Sequence, residues 1–165
     1  MKSINLIPEL EFEKISTQKL LERLPEDKLS WQPHSKAFTL GQLAYHVATI
    51  PGRIANFAND GITSAEVLIE HPFGFRKEDI LIAFSESYEK AFNILSQSND
   101  EWDNKNWICT LNNKEIINWP RTTLLRFLML NHWYHHRGEL VTYLRILDIP
   151  IPSIYGPSAD ENPFV

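Results

Sequence analysis

Apolar residues recur at helical intervals along most of the chain and lose that rhythm between Asn99 and Trp119. Leu10, Thr17, Leu21 and Leu24 share one face of a helix predicted from about Pro8, acceptable in a first turn, to Leu24, where Pro25 stops it. A long connection, Pro25–Phe38, carries Trp31 and a second proline, Pro33. Thr39 then opens a second helix with a capping box, because Gln42 stands three residues on at the reciprocal position. Leu40, Leu43, Val47 and Ile50 mark its apolar face, and His46 falls among them. Pro51-Gly52 is expected to kink or interrupt this helix before it continues to about Asn59, with Gly61 suited to the C-terminal cap.

A loop holding His71-Pro72-Phe73-Gly74 leads to a third helix, about Lys77 to Gln97, with Ile80, Phe84, Ser87, Ala91 and Ile94 as its stripe. Trp107–Leu111 and Glu115–Ile117 flank Asn112-Asn113, the pattern of a short hairpin. The last helix starts between Asn118 and Thr123 and runs to about Asp148, before Ile149-Pro150-Ile151-Pro152. The tail, Ser153–Val165, is rich in turn formers and is expected to lie extended over the surface. Four amphipathic helices in one domain, residues 1–165, predict an all-α, antiparallel four-helix bundle with a short hairpin between the third and fourth helices.

Composition narrows the function. A chain of 165 residues has room for a hydrophobic core. A net charge of −5, with Lys and Arg scattered, argues against nucleic acid as a partner. The single cysteine, Cys109, permits neither an intrachain disulfide nor a cysteine-based zinc cluster, and it reads as a small apolar filler. Glu9, Glu11 and Glu13 stand where a signal peptide needs an apolar stretch, and no segment has the apolar length to span a bilayer. The expectation is a soluble cytoplasmic protein.

The candidate chemistry lies in His132-Trp133-Tyr134-His135-His136-Arg137-Gly138-Glu139-Leu140. Residues four apart on a helix stand one above the other, so His132 and His136 present two imidazoles on one face, at a spacing that can chelate a divalent metal. Projected at constant helical period, that face holds Leu125, Leu128, Met129, His132, His136, Glu139 and Tyr143, a core-facing stripe with polar groups that need partners. His46, on the apolar face of another helix, can meet them in the bundle interior. Three neutral imidazoles plus water form an open, reactive site, whereas a structural site has four protein ligands. The competing reading is three core histidines bonded to carbonyls or facing a wet cavity. A di-iron carboxylate bundle is excluded for want of Glu-x-x-His on two helices.

The chain also resembles a known family. The residues that carry the likeness are Leu24–Pro33 (LPEDKLSWQP), Phe38–His46 (FTLGQLAYH), His132–Gly138 and the run from Tyr143-Leu144-Arg145 to Pro150–Gly156. These segments, in this order and spacing, resemble the DinB-like family over nearly the whole chain. The resemblance implies a four-helix bundle that holds one divalent metal by three histidines, here His46, His132 and His136. It also implies relatives that are often dimers, some of which transfer low-molecular-weight thiols or isomerise thiol adducts. Where the family usually carries Gln after Arg-Gly, this chain has Glu139. That carboxylate can orient a ligand imidazole, accept a proton as a catalytic base, or occupy the open coordination position; an ordinary Glu at the bundle edge is the plain alternative.

Other residues carry less. Arg137 projects roughly opposite to His132, which suits a structural ion pair or interface contact, and Gly138 within a helix suggests that a neighbour packs close there. His135 lies off the ligand face, and His34 and His71 fall in loops. The leading reading is a divalent-metal-dependent enzyme, a thiol transferase or hydrolase acting on a small molecule such as a low-molecular-weight thiol. Zinc suits the ligand set best, with nickel and iron also compatible. The alternatives are a non-catalytic metal-binding or stress-related bundle and a structural homodimer with vestigial histidines.

Overall fold

The computed structural model describes residues 6–70 and 76–164; the expected loop residues His71–Gly74 lie outside them. The bundle is built from α1 (Ile7–Leu21), α2 (Leu40–Asp60), α4 (Lys77–Ser96) and a last helix in three parts, α6 (Arg121–Leu124), a π-helical segment (Leu125–Asn131) and α7 (His132–Ile146). Between α2 and α4 stand β1 (Ile62–Ser64) and the one-turn α3 (Ala65–Leu68); between α4 and α6 stand the one-turn α5 (Asp100–Asp103), β2 (Asn106–Leu111) and β3 (Lys114–Pro120). The class is all-α, as the periodicity predicts. No helix among the described residues is long and apolar enough to cross a membrane.

The helix boundaries follow local chemistry. Pro8 occupies the first turn of α1. That helix ends at Leu21, before the expected Leu24, yet Leu10, Thr17, Leu21 and Leu24 are all buried. The capping box forms: the Gln42 amide donates to Thr39 Oγ1 at 3.2 Å and the Thr39 amide to Gln42 Oε1 at 2.8 Å. At the other end Gly61 adopts φ 76° and its N–H bonds to Phe57 O. Of the expected kink or interruption at Pro51, the interruption does not occur: α2 runs on through the proline, and Ser87 of α4 bonds the backbone on either side of it. The Ser87 hydroxyl accepts from the Gly52 amide at 2.8 Å and donates to Thr49 O at 3.1 Å. This requires contact between the two backbones, and a Cβ at Gly52 would lie 2.6 Å from Ser87 O. On α4, Ile80, Phe84, Ser87 and Ala91 are buried, and Leu95, rather than the half-buried Ile94, completes the stripe.

The hairpin turns at Asn112 and Asn113, both at positive φ, which asparagine tolerates. The sheet it belongs to is larger than expected: β1 pairs parallel to β2, with Ile62 opposite Ile108, giving the order β1-β2-β3. β1 lacks an alternating apolar pattern, and its pairing is recorded only in tertiary contact; buried Trp107 donates its indole N–H to Thr63 Oγ1 at 3.1 Å. Cys109 is buried, and burial pushes its thiol pKa up, so it is an inert filler. The tail is irregular but pinned: Arg145 pairs with Asp160 at 2.5 Å, and Asp160 also accepts from the Ile151 amide.

The last helix differs most from its constant-period projection. Buried positions run Leu125, Met129, Trp133, Arg137, Leu140 and Leu144, so the stripe steps by one residue across Leu125–Asn131. A π segment absorbs one extra residue in this way. His132, His136, Glu139 and Tyr143 are consequently moved from the centre of the core to its half-buried flank. Gly138 is moved outward as well, and a Cβ there would meet nothing within 4 Å; the expected close neighbour is absent among the described residues.

Candidate metal centre

The capped, patched helix α2 holds His46 rigidly, with only 7% of its surface exposed. It faces His132 and His136 on α7. His46 Nε2 lies 3.3 Å from His132 Nε2, which lies 2.8 Å from His136 Nε2. One ligand atom from each of the three histidines falls within 4.8 Å of the others, so the cluster can hold a metal ion. Phe38 packs beside His46 with ring centroids 6.0 Å apart, and Trp31 meets Tyr143 edge-to-face at 5.7 Å. The long Pro25–Phe38 connection therefore walls the site next to the α7 flank.

The far sides of two rings fix their protons. His136 Nδ1 lies 2.6 Å from Glu139 Oε2, and a carboxylate can only accept, so Nδ1 carries the hydrogen. His132 Nδ1 lies 3.3 Å from Leu128 O, again an acceptor. The π segment contributes here: the His132 backbone N–H reaches Phe127 O, five residues back, and Met129 O, while the Leu128 carbonyl faces the imidazole. In the neutral rings both Nε2 atoms are then acceptors, 2.8 Å apart, and that of His132 also lies within hydrogen-bond distance of His46 Nε2. Burial lowers the His136 pKa, opposed by its hydrogen bond to Glu139, so the desolvated ring favours its neutral, metal-binding form.

These residues suit a divalent ion. At a Zn–N distance of about 2.0–2.1 Å, tetrahedral geometry would put neighbouring nitrogens about 3.3 Å apart, the separation found between His46 and His132, whereas His132 and His136 stand closer, at 2.8 Å. His135 lies outside this triangle: its side chain is largely exposed, its Nε2 lies 3.4 Å from Glu139 Oε1, and with His136 and Glu139 it forms a second, more exposed group that could hold an ion. Glu139 stands behind His136 on the ring's Nδ1 side. His34 is exposed and accepts from the Lys36 amide; His71 lies outside the described residues.

Residues 2–162 match the DinB family. The chain is 32% identical over 157 residues to a protein of Bacillus subtilis (strain 168) described as "Uncharacterized protein YrdA", covering 92% of this chain and 86% of that one. The chain belongs to the DinB family. Crystal structures of DinB-like proteins share the fold. YjoA from Bacillus subtilis superposes with a TM-score of 0.70 at 20% identity, covering 92% of this chain and 97% of that one. A protein from Bacillus cereus ATCC 10987 gives 0.71 at 22%, with 91% and 95% covered. DinB membership and the three-histidine cluster are together compatible with a metal-binding protein.

Two groups around this DinB site escaped sequence reasoning. Arg137, expected in an ion pair without a named partner, is almost fully buried and pairs with Glu13 of α1 at 2.5 Å. It also donates to Thr17 and to the Tyr155 hydroxyl of the tail. Glu13 was visible only as one of three alternating acids, and its partner is 124 residues away. Arg53, two turns beyond His46 on α2, lines a cavity that His46 and His132 also line. Its signal was the helical interval from His46, which singled out no residue until the ligand face was fixed.

Proposed function

We propose that His46, His132 and His136 bind one divalent metal, zinc in first place with nickel or iron as alternatives, and that the chain is a metal-dependent enzyme acting on a small molecule, by thiol transfer or hydrolysis. The observation that carries this reading is the convergence of one ring nitrogen from each of three histidines, on two helices, within 4.8 Å, while the Nδ1 atoms of His132 and His136 turn to Leu128 O and Glu139. Three imidazoles would leave a four-coordinate ion one position for water or substrate.

Such an ion supplies Lewis acidity that lowers the pKa of a bound water or thiol. The chain supplies the rest. His46 and α7 fix the donor triangle, Phe38 and Trp31 limit access, and Glu139 orients His136 and strengthens it as a donor. Glu139 is positioned to act through His136 rather than as a ligand, since its carboxylate meets Nδ1 and not the Nε2 triangle. This geometry favours an open site over a non-catalytic one whose last position Glu139 would fill. We place the chain in the cytoplasm and expect it to be a homodimer, for which light scattering at micromolar concentration is the check.

The decisive experiment is elemental analysis of protein purified without an affinity tag, followed by a screen of thiol substrates. About one divalent ion per chain is expected for a single site. A chain that stays metal-free after zinc, nickel and iron are offered overturns the reading.

A further inference from the structure

Beside the histidines lies a cavity of about 90 Å³. Its wall includes His46 and His132, the aliphatic side chains Ile50, Ile54 and Leu128, and one cation, Arg53. Arg53 follows His46 by seven residues, so the two share a face of α2 about 10 Å apart along its axis. The arginine is held in place: Nη1 donates to the Glu70 carbonyl, Nη2 to the Val67 carbonyl, and the guanidinium lies 5.5 Å from the centre of the Phe57 ring.

These partners orient the guanidinium without neutralising it. Carbonyls accept hydrogen bonds but carry no net charge, and the remaining donors of the fork stay available. The Glu70 carboxylate acts on Arg53 only at a distance, while burial pulls its pKa down. Among the described residues this half-buried arginine, in a wall that also holds Thr49 and the two histidines, has no carboxylate within ion-pair distance.

We propose that Arg53 recognises the anionic end of the ligand, so that the site takes a short molecule bearing a carboxylate. This rests on the metal centre proposed above. The small volume, about 90 Å³, supports a short ligand. Charge supports an anion: a divalent ion and Arg53, set against Glu139 and Glu70, leave a net positive charge that a carboxylate offsets. The fork geometry of guanidinium suits a carboxylate better than a lysine would, and the aliphatic wall between the two ends covers a hydrocarbon spacer.

The test is a titration of the cobalt-loaded full chain with 3-mercaptopropionate and, separately, with its neutral amide, read by cobalt absorption. The acid should bind about tenfold or more tightly than the amide, the scale of one charge-assisted pair. Arg53→Met should abolish that preference without changing cobalt content or the circular dichroism spectrum, and Arg53→Lys should retain part of it. Equal affinities for acid and amide in the unmodified chain, or a preference that survives in Arg53→Met, overturn the role of Arg53 while leaving the metal centre standing. A chain that takes up no cobalt overturns the metal centre, and this inference with it.

Discussion

Two polar clusters sit on neighbouring faces of α7 and are resolved in opposite ways. On the buried face, Arg137 meets Glu13, Thr17 and Tyr155, and its guanidinium lies near the rings of Tyr134 and Tyr155 at 5.4 and 5.1 Å. The charges cancel, and the Glu13 carboxylate accepts from Tyr155 through both oxygens. On the flank, the outward nitrogens of His132 and His136 are satisfied by Leu128 O and Glu139 while the inward ones confront one another. A network closed by the protein's own groups has nothing left to offer a ligand. One whose outer nitrogens are hydrogen-bonded while one nitrogen of each ring converges on its neighbours keeps a donor set that can hold an ion. Burial of polar groups alone does not separate these cases; the direction in which the nitrogens point does.

The comparison can be broken most forcefully at Arg137. Arg137→Met strands a buried Glu13 and should cost about 3–5 kcal/mol in urea unfolding, as when one partner of a buried pair is removed. Zinc affinity at permissive temperature should hardly move. A parallel collapse of metal binding would show that the two clusters are one. Next in size, His132→Ala should weaken zinc binding by more than about 100-fold, beyond the range of groups that only support a ligand. His135→Ala should leave zinc binding intact in the same isothermal titration, and a loss there would refute the helical phase.

Glu139→Gln gives a smaller effect. The amide can still accept from Nδ1 but lacks the charge, so zinc affinity should fall about 10–100-fold with the cobalt spectrum still that of a three-histidine site. Unchanged affinity and spectrum would reduce Glu139 to an edge residue. The smallest effect is at the tail. Arg145 and the Ile151 amide hold the Asp160 carboxyl below the usual carboxylate range. A depressed folded pKa contributes stability that is present above the unfolded value, about 3.9, and is lost as pH falls through the folded one. Asp160→Asn at neutral pH should reproduce that loss as faster hydrogen exchange at the Ile151 amide, with global unfolding nearly unchanged.

Most of the bundle was legible because short-range rules decide it. The Thr39 capping box, the Gly61 cap, the Asn112-Asn113 turn and the faces of α1, α2 and α4 depend on residues a few positions apart. Features settled by distant partners were not legible. Ser87 bonds the helix backbone on either side of Pro51, β1 exists through its pairing with β2, and Glu13 finds Arg137 across the bundle. For the candidate site, the spacing of His132 and His136 and the apolar setting of His46 pointed to histidines that the fold brings together. Their placement at the centre of the core was an error of phase, because a constant period carried through Leu125–Asn131 cannot register an added residue. The charge of Arg53 was in plain view, but its relevance depends on the cavity it shares with His46.

The π segment also sets how this helix tolerates change. Because one surplus residue offsets α7 from α6, side chains that pack and side chains that face the histidine triangle draw on separate sets of positions, and substitution in one set leaves the other undisturbed. The geometry of the segment is guarded more strictly than its length. Deleting one residue within Leu125–Asn131 would remove the surplus, let an ordinary α-helix form and leave α7 in its present phase. Keeping every residue but forcing an ordinary α-helix would swing everything downstream by about 100°. Arg137 would then leave Glu13, and the histidines would rotate toward Trp133's place in the interior.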